Sequence, residues 1–163
     1  MGNALKHTML TPLMSAQGFN EVVQVAMVVS DIQSAVKLWA SVLKVKEPEI
    51  VETDEWEKTN MTFRGVPSRG RAKLAFFRLG NITIELIQPV GGPSTWSEFL
   101  EKHGPGIHHI AFNVGNVDEA LRMLKEAGGL IEQEGKFKGG GYIYVDARRS
   151  LGAMIELLYR EPT

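Results

Sequence analysis

The sequence predicts an α+β chain that makes one unit twice, each time in the order strand, helix, strand, strand, strand. Three observations carry this reading. Gly106 to Val114 is a strand-like run with His109 at an alternating position, and it leads straight into a helical pattern starting near Asn116. Val22 to Trp39 repeats the plan: with Gln24 set against His109, Ala26 meets Ala111, Val29 meets Val114, Asp31 meets Asn116 and Ala35 meets Ala120. Each stretch is followed downstream by the same triplet, Ile84-Glu85-Leu86 and Ile155-Glu156-Leu157. Self-similarity of this kind is the mark of a doubled fold.

Taken in order, residues 1–20 read as an arm whose Met9, Leu10, Leu13 and Met14 are free to pack on the rest of the chain or on a second subunit. Val22 to Val29 is apolar and β-branched, as a strand covered on both faces requires. Ser30 and Asp31 are helix-capping types, and Ile32, Ala35, Val36, Trp39, Val42 and Leu43 then recur at helical spacing. Glu47-Pro48 ends that pattern, and Ile50 to Thr53 is a short strand. The polar segment 54–70 reads as a mobile loop holding one possible strand at Met61-Thr62-Phe63. Leu74 to Leu79 and Ile82 to Gln88 form a hairpin around Gly80-Asn81.

A Gly-Pro linker from Pro89 to Pro93 and a short helix from Ser94 to His103 separate the two units. In the second, Asn116 with Glu119 three positions on has the spacing of a capping box, and Val117, Ala120, Leu121, Leu124 and Ala127 form a stripe stopped by Gly128-Gly129. Leu130 to Glu134, Tyr142 to Val145 and Met154 to Tyr159 are the remaining strands, with Gly139-Gly140-Gly141 as a loop between the first two.

Composition removes several function classes. With 18 basic and 19 acidic residues the net charge is -1, so no electrostatic argument points to nucleic acid or an anionic membrane. No apolar run approaches the ~20 residues that span a bilayer. The first residues lack the basic start and apolar core of a secretory signal, and a cytoplasmic protein is expected. The chain has no cysteine, which excludes disulfides, thiolate metal sites and cysteine nucleophiles.

Polar residues that interrupt apolar strands then stand out. Strand side chains alternate, so His109, Ala111 and Asn113 share one face, and His108 is directed to the other. Gln24 holds the matching place in the first unit, while Glu85 and Glu156 sit inside their triplets. A carboxylate buried alone costs several kcal/mol or gains a proton, so two of them need partners. A divalent cation shared by Gln24, Glu85, His109 and Glu156 supplies those partners, and two carboxylates balance its charge. The nitrogen and oxygen donors suit Zn, Ni, Co or Mn. The plainer alternative puts Glu85 and Glu156 on solvent-facing positions, with His109 a core histidine.

The run Gly-Ile-His-His-Ile-Ala-Phe-Asn-Val before a helix, with the two Ile-Glu-Leu triplets, resembles the vicinal oxygen chelate superfamily of glyoxalases, bleomycin resistance proteins and dioxygenases. Gly80 to Leu86 and Phe99 to Phe112 look most like methylmalonyl-CoA epimerase and its relatives. The resemblance implies two tandem βαβββ modules, about 21–90 and 106–160, whose mixed sheet curls around a metal cup in a single glyoxalase-like domain over 21–163, usually as a homodimer. It places the ligands on Gln24, Glu85, His109 and Glu156, and gives Glu156 and Glu85 the catalytic proton transfers.

The implied activity is that of a metal-dependent isomerase or lyase moving a proton next to a carbonyl, on an acyl-CoA or an oxo or hydroxy acid. Alternatives are a glyoxalase I-like lyase on a non-glutathione substrate and a non-catalytic small-molecule binding protein. The sequence departs from the epimerase pattern at Gln24, where histidine is common, and at Pro67-Ser68-Arg69-Gly70, where a proton-transferring glutamate is expected. Val28 and Pro89 stand where glyoxalase I holds glutathione with arginine and asparagine.

Overall fold

The computed structural model describes residues 19–161, so the arm's residues 1–18 lie outside it. Along the chain, β1 (Val22–Val28) leads into α1 (Ile32–Leu43), followed by β2 (Val51–Glu52), α2 (Trp56–Thr59), β3 (Thr62–Phe63), β4 (Val66–Pro67) and the hairpin of β5 (Arg71–Arg78) and β6 (Thr83–Val90). After α3 (Thr95–His103) come β7 (Gly106–Asn113), α4 (Val117–Glu126), β8 (Leu130–Phe137), β9 (Gly140–Ala147), α5 (Arg148–Leu151) and β10 (Ala153–Arg160).

The helices start where the sequence predicts, although α1 ends before Glu47-Pro48 and only the Asn116 half of the expected capping box forms. Asp31 accepts from the Gln33 and Ser34 amides, and Lys44 closes α1 in the left-handed region at φ 55°. Asn116 accepts from the Glu119 amide at the start of α4. Ser94 and Ser97 cap α3 reciprocally. Each long helix buries one stripe. From α1, Ile32, Val36 and Ala40 pack on Ala75, Phe77 and Leu86, and from α4, Ala120 and Leu124 pack on Ile143, Val145, Ile155 and Leu157. Phe19 adds to the second cluster with its ring edge-on to Phe112.

The ten strands of the described residues form one mixed sheet in the order β2-β5-β6-β1-β7-β10-β9-β8-β3-β4. The two first strands, β1 and β7, meet antiparallel at its centre, and each is flanked on its outer side by the last strand of its own unit, running parallel to it. This is the doubled βαβββ arrangement the repeat predicts. The helices α1 and α4 cover one face. The other face carries Ala26, Val28, Met61, Ala72, Ile87, Trp96, Tyr144 and Met154.

Segment 54–70 differs from the expected mobile loop. It is a strap that leaves one margin of the sheet at β2 and joins the opposite margin at β3, where Thr62 and Phe63 pair with Glu134 and Gln133 of β8. Laid flat, the eight strand spacings from β2 to β3 would cover roughly 38 Å. The ten residues from Glu52 to Thr62, one turn of them helical, reach only about 25–30 Å. The sheet therefore curls into a half-barrel, with the strap across its open side. The strap is held because Met61 is buried, the Trp56 indole donates to the Met61 carbonyl at 3.0 Å, and Arg64 grips Glu98 through both terminal nitrogens and Glu132 through Nε. Polar composition hid this, because the strap's apolar anchors are only Trp56 and Met61.

Two smaller differences follow from packing. The Gly139-Gly140-Gly141 loop is shorter than expected, since Gly140 and Gly141 already belong to β9. A Cβ on Gly140 would collide with the Tyr159 carbonyl oxygen, and one on Gly141 with the Tyr159 hydroxyl, so these glycines let β10 approach. The second concerns β7, whose pairing slips by one residue: Ala26 faces His109 but Met27 faces Ile107, leaving His108 in a bulge.

Replacing Arg64 with alanine is expected to cost about 1 kcal/mol and to speed hydrogen exchange at the Arg64 and Ser68 amides, which bond to Glu132 and Met61. The amides of β1 and β7 should keep their protection, as native-state exchange by mass spectrometry would read.

Candidate metal centre

The four residues singled out in the sequence meet at the centre of the sheet, on the face away from α1 and α4. Ala26 lies in register between Glu85 of β6 and His109 of β7; Ala111 lies between Gln24 of β1 and Glu156 of β10. Both alanines are wholly buried and carry only a methyl group. They form a low floor over which four longer side chains lean toward one another.

The solvent-facing alternative for the glutamates is thereby overturned. Glu85 is 6% exposed, Glu156 4% and His109 1%. One donor atom from each of these three lies within 4.8 Å of the others. His109 Nε2 stands 3.0 Å from Glu156 Oε2 and 3.6 Å from Glu85 Oε2. At 3.0 Å the histidine and Glu156 atoms nevertheless lack hydrogen-bond alignment, and both are left without a partner. They aim at a shared point rather than at each other. Gln24 completes the group by donating from Nε2 to Glu85 Oε2. A half-turn of its terminal amide would present the oxygen instead.

The electrostatics follow from burial. Desolvation, reinforced by the charge of Glu156, pushes the Glu85 carboxyl up to about 8, against His109 and the Gln24 hydrogen bond. Burial works against charge on His109 too, but the adjacent negative charges of Glu156 and Glu85 outweigh it, and its pKa is raised. Burial and the neighbouring His109 hold His108 well below the usual imidazole range. A divalent cation has ligand bonds of about 2.0–2.2 Å and so spaces its ligands roughly 3–4 Å apart. The orphaned donor atoms, their separations and the two acidic side chains fit such an ion.

The cup opens into a cavity of about 450 Å³. Its inner end is walled by Trp96, Met61, Tyr142 and Tyr144; Arg78, Asn113, Lys136 and Arg160 line it elsewhere. The Trp96 indole donates to the Tyr144 hydroxyl at 3.0 Å, and Gln133 donates to the Tyr142 hydroxyl at 3.0 Å, which leaves the Tyr142 hydrogen free to donate. Burial raises both phenols, so they stay protonated.

Sequence reading passed over these two tyrosines, although their alternation in Tyr142-Ile143-Tyr144 on a strand bearing Glu156's neighbour was the available signal. Gln133 and Trp96 carried none that distinguishes them from ordinary core. Arg69 and Arg71 pair with Glu57, Glu52 and Glu55 on the strap and do not line the cavity.

A family model described as Glyoxalase/Bleomycin resistance protein/Dioxygenase superfamily matches residues 23–145. An uncharacterised Bacillus subtilis protein, YqjC, is 33% identical over 90 residues, covering 53% of this chain and 64% of its own. The ethylmalonyl-CoA/methylmalonyl-CoA epimerase of Cereibacter sphaeroides is 36% identical over 87 residues, covering 50% of this chain and 65% of its own. The match thus spans a little under two thirds of these relatives. The crystal structure of methylmalonyl-CoA epimerase from Mycobacterium tuberculosis superposes with a TM-score of 0.60 at 21% identity, over 92% of this chain and 95% of that one, which shows a common fold.

Without metal, stability is expected to fall as pH rises. Glu85 has a folded pKa of about 8 against an ordinary 4.5, so between these values the native state holds a proton that the unfolded chain has released. The raised His109 acts in the same direction: its contribution is complete below 6.5 and lost as pH climbs through its folded value. Thermal melts of chelator-treated protein across this window should show the decline, and Glu85→Gln should flatten most of it.

Proposed function

The chain belongs to the glyoxalase/bleomycin resistance protein/dioxygenase superfamily, and on that premise we propose that it is a metal-dependent isomerase that moves a proton next to a carbonyl. One observation carries the proposal most: buried Glu85, His109 and Glu156 bring their ligand atoms together at the floor of a substrate-sized cavity, with His109 Nε2 and Glu156 Oε2 unpartnered. Gln24, Glu85, His109 and Glu156 would hold the ion. When bound, a divalent cation such as Zn, Ni, Co or Mn supplies Lewis acidity toward the oxygens of a chelating carbonyl compound.

The chain's own residues do the rest. Glu156 takes the α-proton at a carboxylate oxygen and returns it, and Glu85, the other buried carboxylate of the cup, is the opposite partner for proton transfer. Tyr142 offers its hydroxyl hydrogen to charge that develops on a substrate oxygen. Tyr144, Trp96 and Met61 close the inner end against water. Arg78 and Arg160 on the cavity wall suit a substrate with a second anionic group.

The epimerase names of the relatives support an acyl-CoA of the methylmalonyl type, with residues 21–163 acting as one glyoxalase-like unit in a homodimer. A second reading, a glyoxalase I-like lyase on a substrate other than glutathione, draws on segment 67–70: Ser68 there bonds to the Pro93 carbonyl, and no carboxylate is present.

Elemental analysis of purified protein should find a divalent metal that is lost in His109→Ala. Metal-replete enzyme should exchange solvent deuterium into methylmalonyl-CoA, and Glu156→Gln should slow this by at least roughly a hundredfold. No exchange by the metal-replete protein would eliminate the epimerase and leave the lyase reading to be tried on 2-oxo and 2-hydroxy acids.

A further inference from the structure

We propose that His108 is a positioning residue for the centre: it decides which ring nitrogen of His109 carries hydrogen, and so presents the bare Nε2 of His109 to the metal. The inference rests on the metal reading above and adds a role that alternation along the strand assigns to no residue.

Strict alternation would turn His108 toward the helices on the far side of the sheet. The bulge in β7 instead brings it to the cup side. There its ring stands edge-on to Phe99 of α3 at 5.4 Å and to Tyr144 of β9 at 5.3 Å. Held so, His108 Nδ1 lies 2.9 Å from His109 Nδ1. Two ring nitrogens at this distance share one hydrogen, and the choice of owner is linked to the far side of both rings.

With one hydrogen on each ring, only two arrangements satisfy the contact. In the first, His108 donates from Nδ1, His109 accepts at Nδ1, and His109 carries its hydrogen on Nε2, toward Glu156 and Glu85. That arrangement suits the carboxylates but blocks a cation. In the second, His109 donates from Nδ1 to His108, which frees the His109 Nε2 lone pair and moves the His108 hydrogen to Nε2. That nitrogen is buried and has no hydrogen-bond partner among the described residues. The His108 side chain lines a second cavity of about 190 Å³, whose walls include Thr95, Glu98 and Glu132 and which offers polar groups and room for a water. Metal-ligating histidines are oriented by an acceptor for their other ring nitrogen. Here a second histidine fills that place, so ion binding is coupled to a paired tautomer exchange.

The test is zinc titration by calorimetry at one pH for the native protein, His108→Leu and His108→Asn, with long-range proton–nitrogen spectra of the histidine rings before and after zinc. Leucine keeps bulk and removes the acceptor, so affinity should fall about 10–100-fold. Asparagine places an oxygen near the lost Nδ1 and should bind close to the native affinity. In the native spectra zinc should move the His109 hydrogen to Nδ1 and the His108 hydrogen to Nε2. Native affinity in His108→Leu, or zinc-loaded His108 still protonated at Nδ1, overturns the positioning role and leaves the metal centre standing. Should His108→Leu fail to fold, the native spectra decide alone. A native protein that binds no divalent ion overturns the metal reading and this role together.

Discussion

The antiparallel seam between β1 and β7 is the constraint on which the rest depends. Its register sets Ala26 against His109 and Gln24 against Ala111, and the parallel strands on either side then bring Glu85 and Glu156 to the same two alanines. Because strand side chains alternate with a period of two, a one-residue slip of β6 on β1 or of β10 on β7 would turn that strand's buried carboxylate into the apolar layers under α1 and α4. Those layers are built from Ile, Leu, Val, Ala and Phe and offer no partner for a charge. The apolar pattern that buries the helices therefore also fixes the polar centre.

The centre itself is under electrostatic tension. Glu85 and Glu156 are buried within reach of one imidazole, and a single histidine cannot compensate both. Protonation of Glu85 relieves the strain at the expense of a ligand; a divalent ion relieves it without that loss. Hydrogen bonds from Trp96 to Tyr144 and from Gln133 to Tyr142 hold the wall in place around the tension.

Much of this was legible in the sequence, and for identifiable reasons. Gln24, Glu85, His109 and Glu156 were visible because each breaks an apolar strand and each has a counterpart in the other half. Helix limits were visible in Asp31, Asn116 and Gly128, whose backbone roles are local. Of the strap only β3 was legible, as the possible strand at Met61-Thr62-Phe63; where it docks was not, because β3 and β4 are two residues long and the β8 partner of β3 lies some 70 residues away in the chain. His108 was misdirected for a similar reason. A bulge depends on how two strands are registered, and neither strand's own pattern records it. Tyr142 and Tyr144 did have a readable alternation, but it became meaningful only once Glu156 was known to lie beside Tyr144.

The strap also bears on how the chain can come together. It belongs to the first unit in sequence yet hydrogen-bonds to the second, so the halves of this duplicated chain are no longer interchangeable or separable. During synthesis β1, α1, β5 and β6 can associate early, but the β3–β4 pair has no place in the sheet until β8 has left the ribosome. Until then Met61 and Trp56 lack the wall they are buried against, and the half-barrel stays open. Closure of the cavity is thus a late, non-local event, the slow kind of contact in β-rich folding, and the pocket is complete only when the whole sheet is.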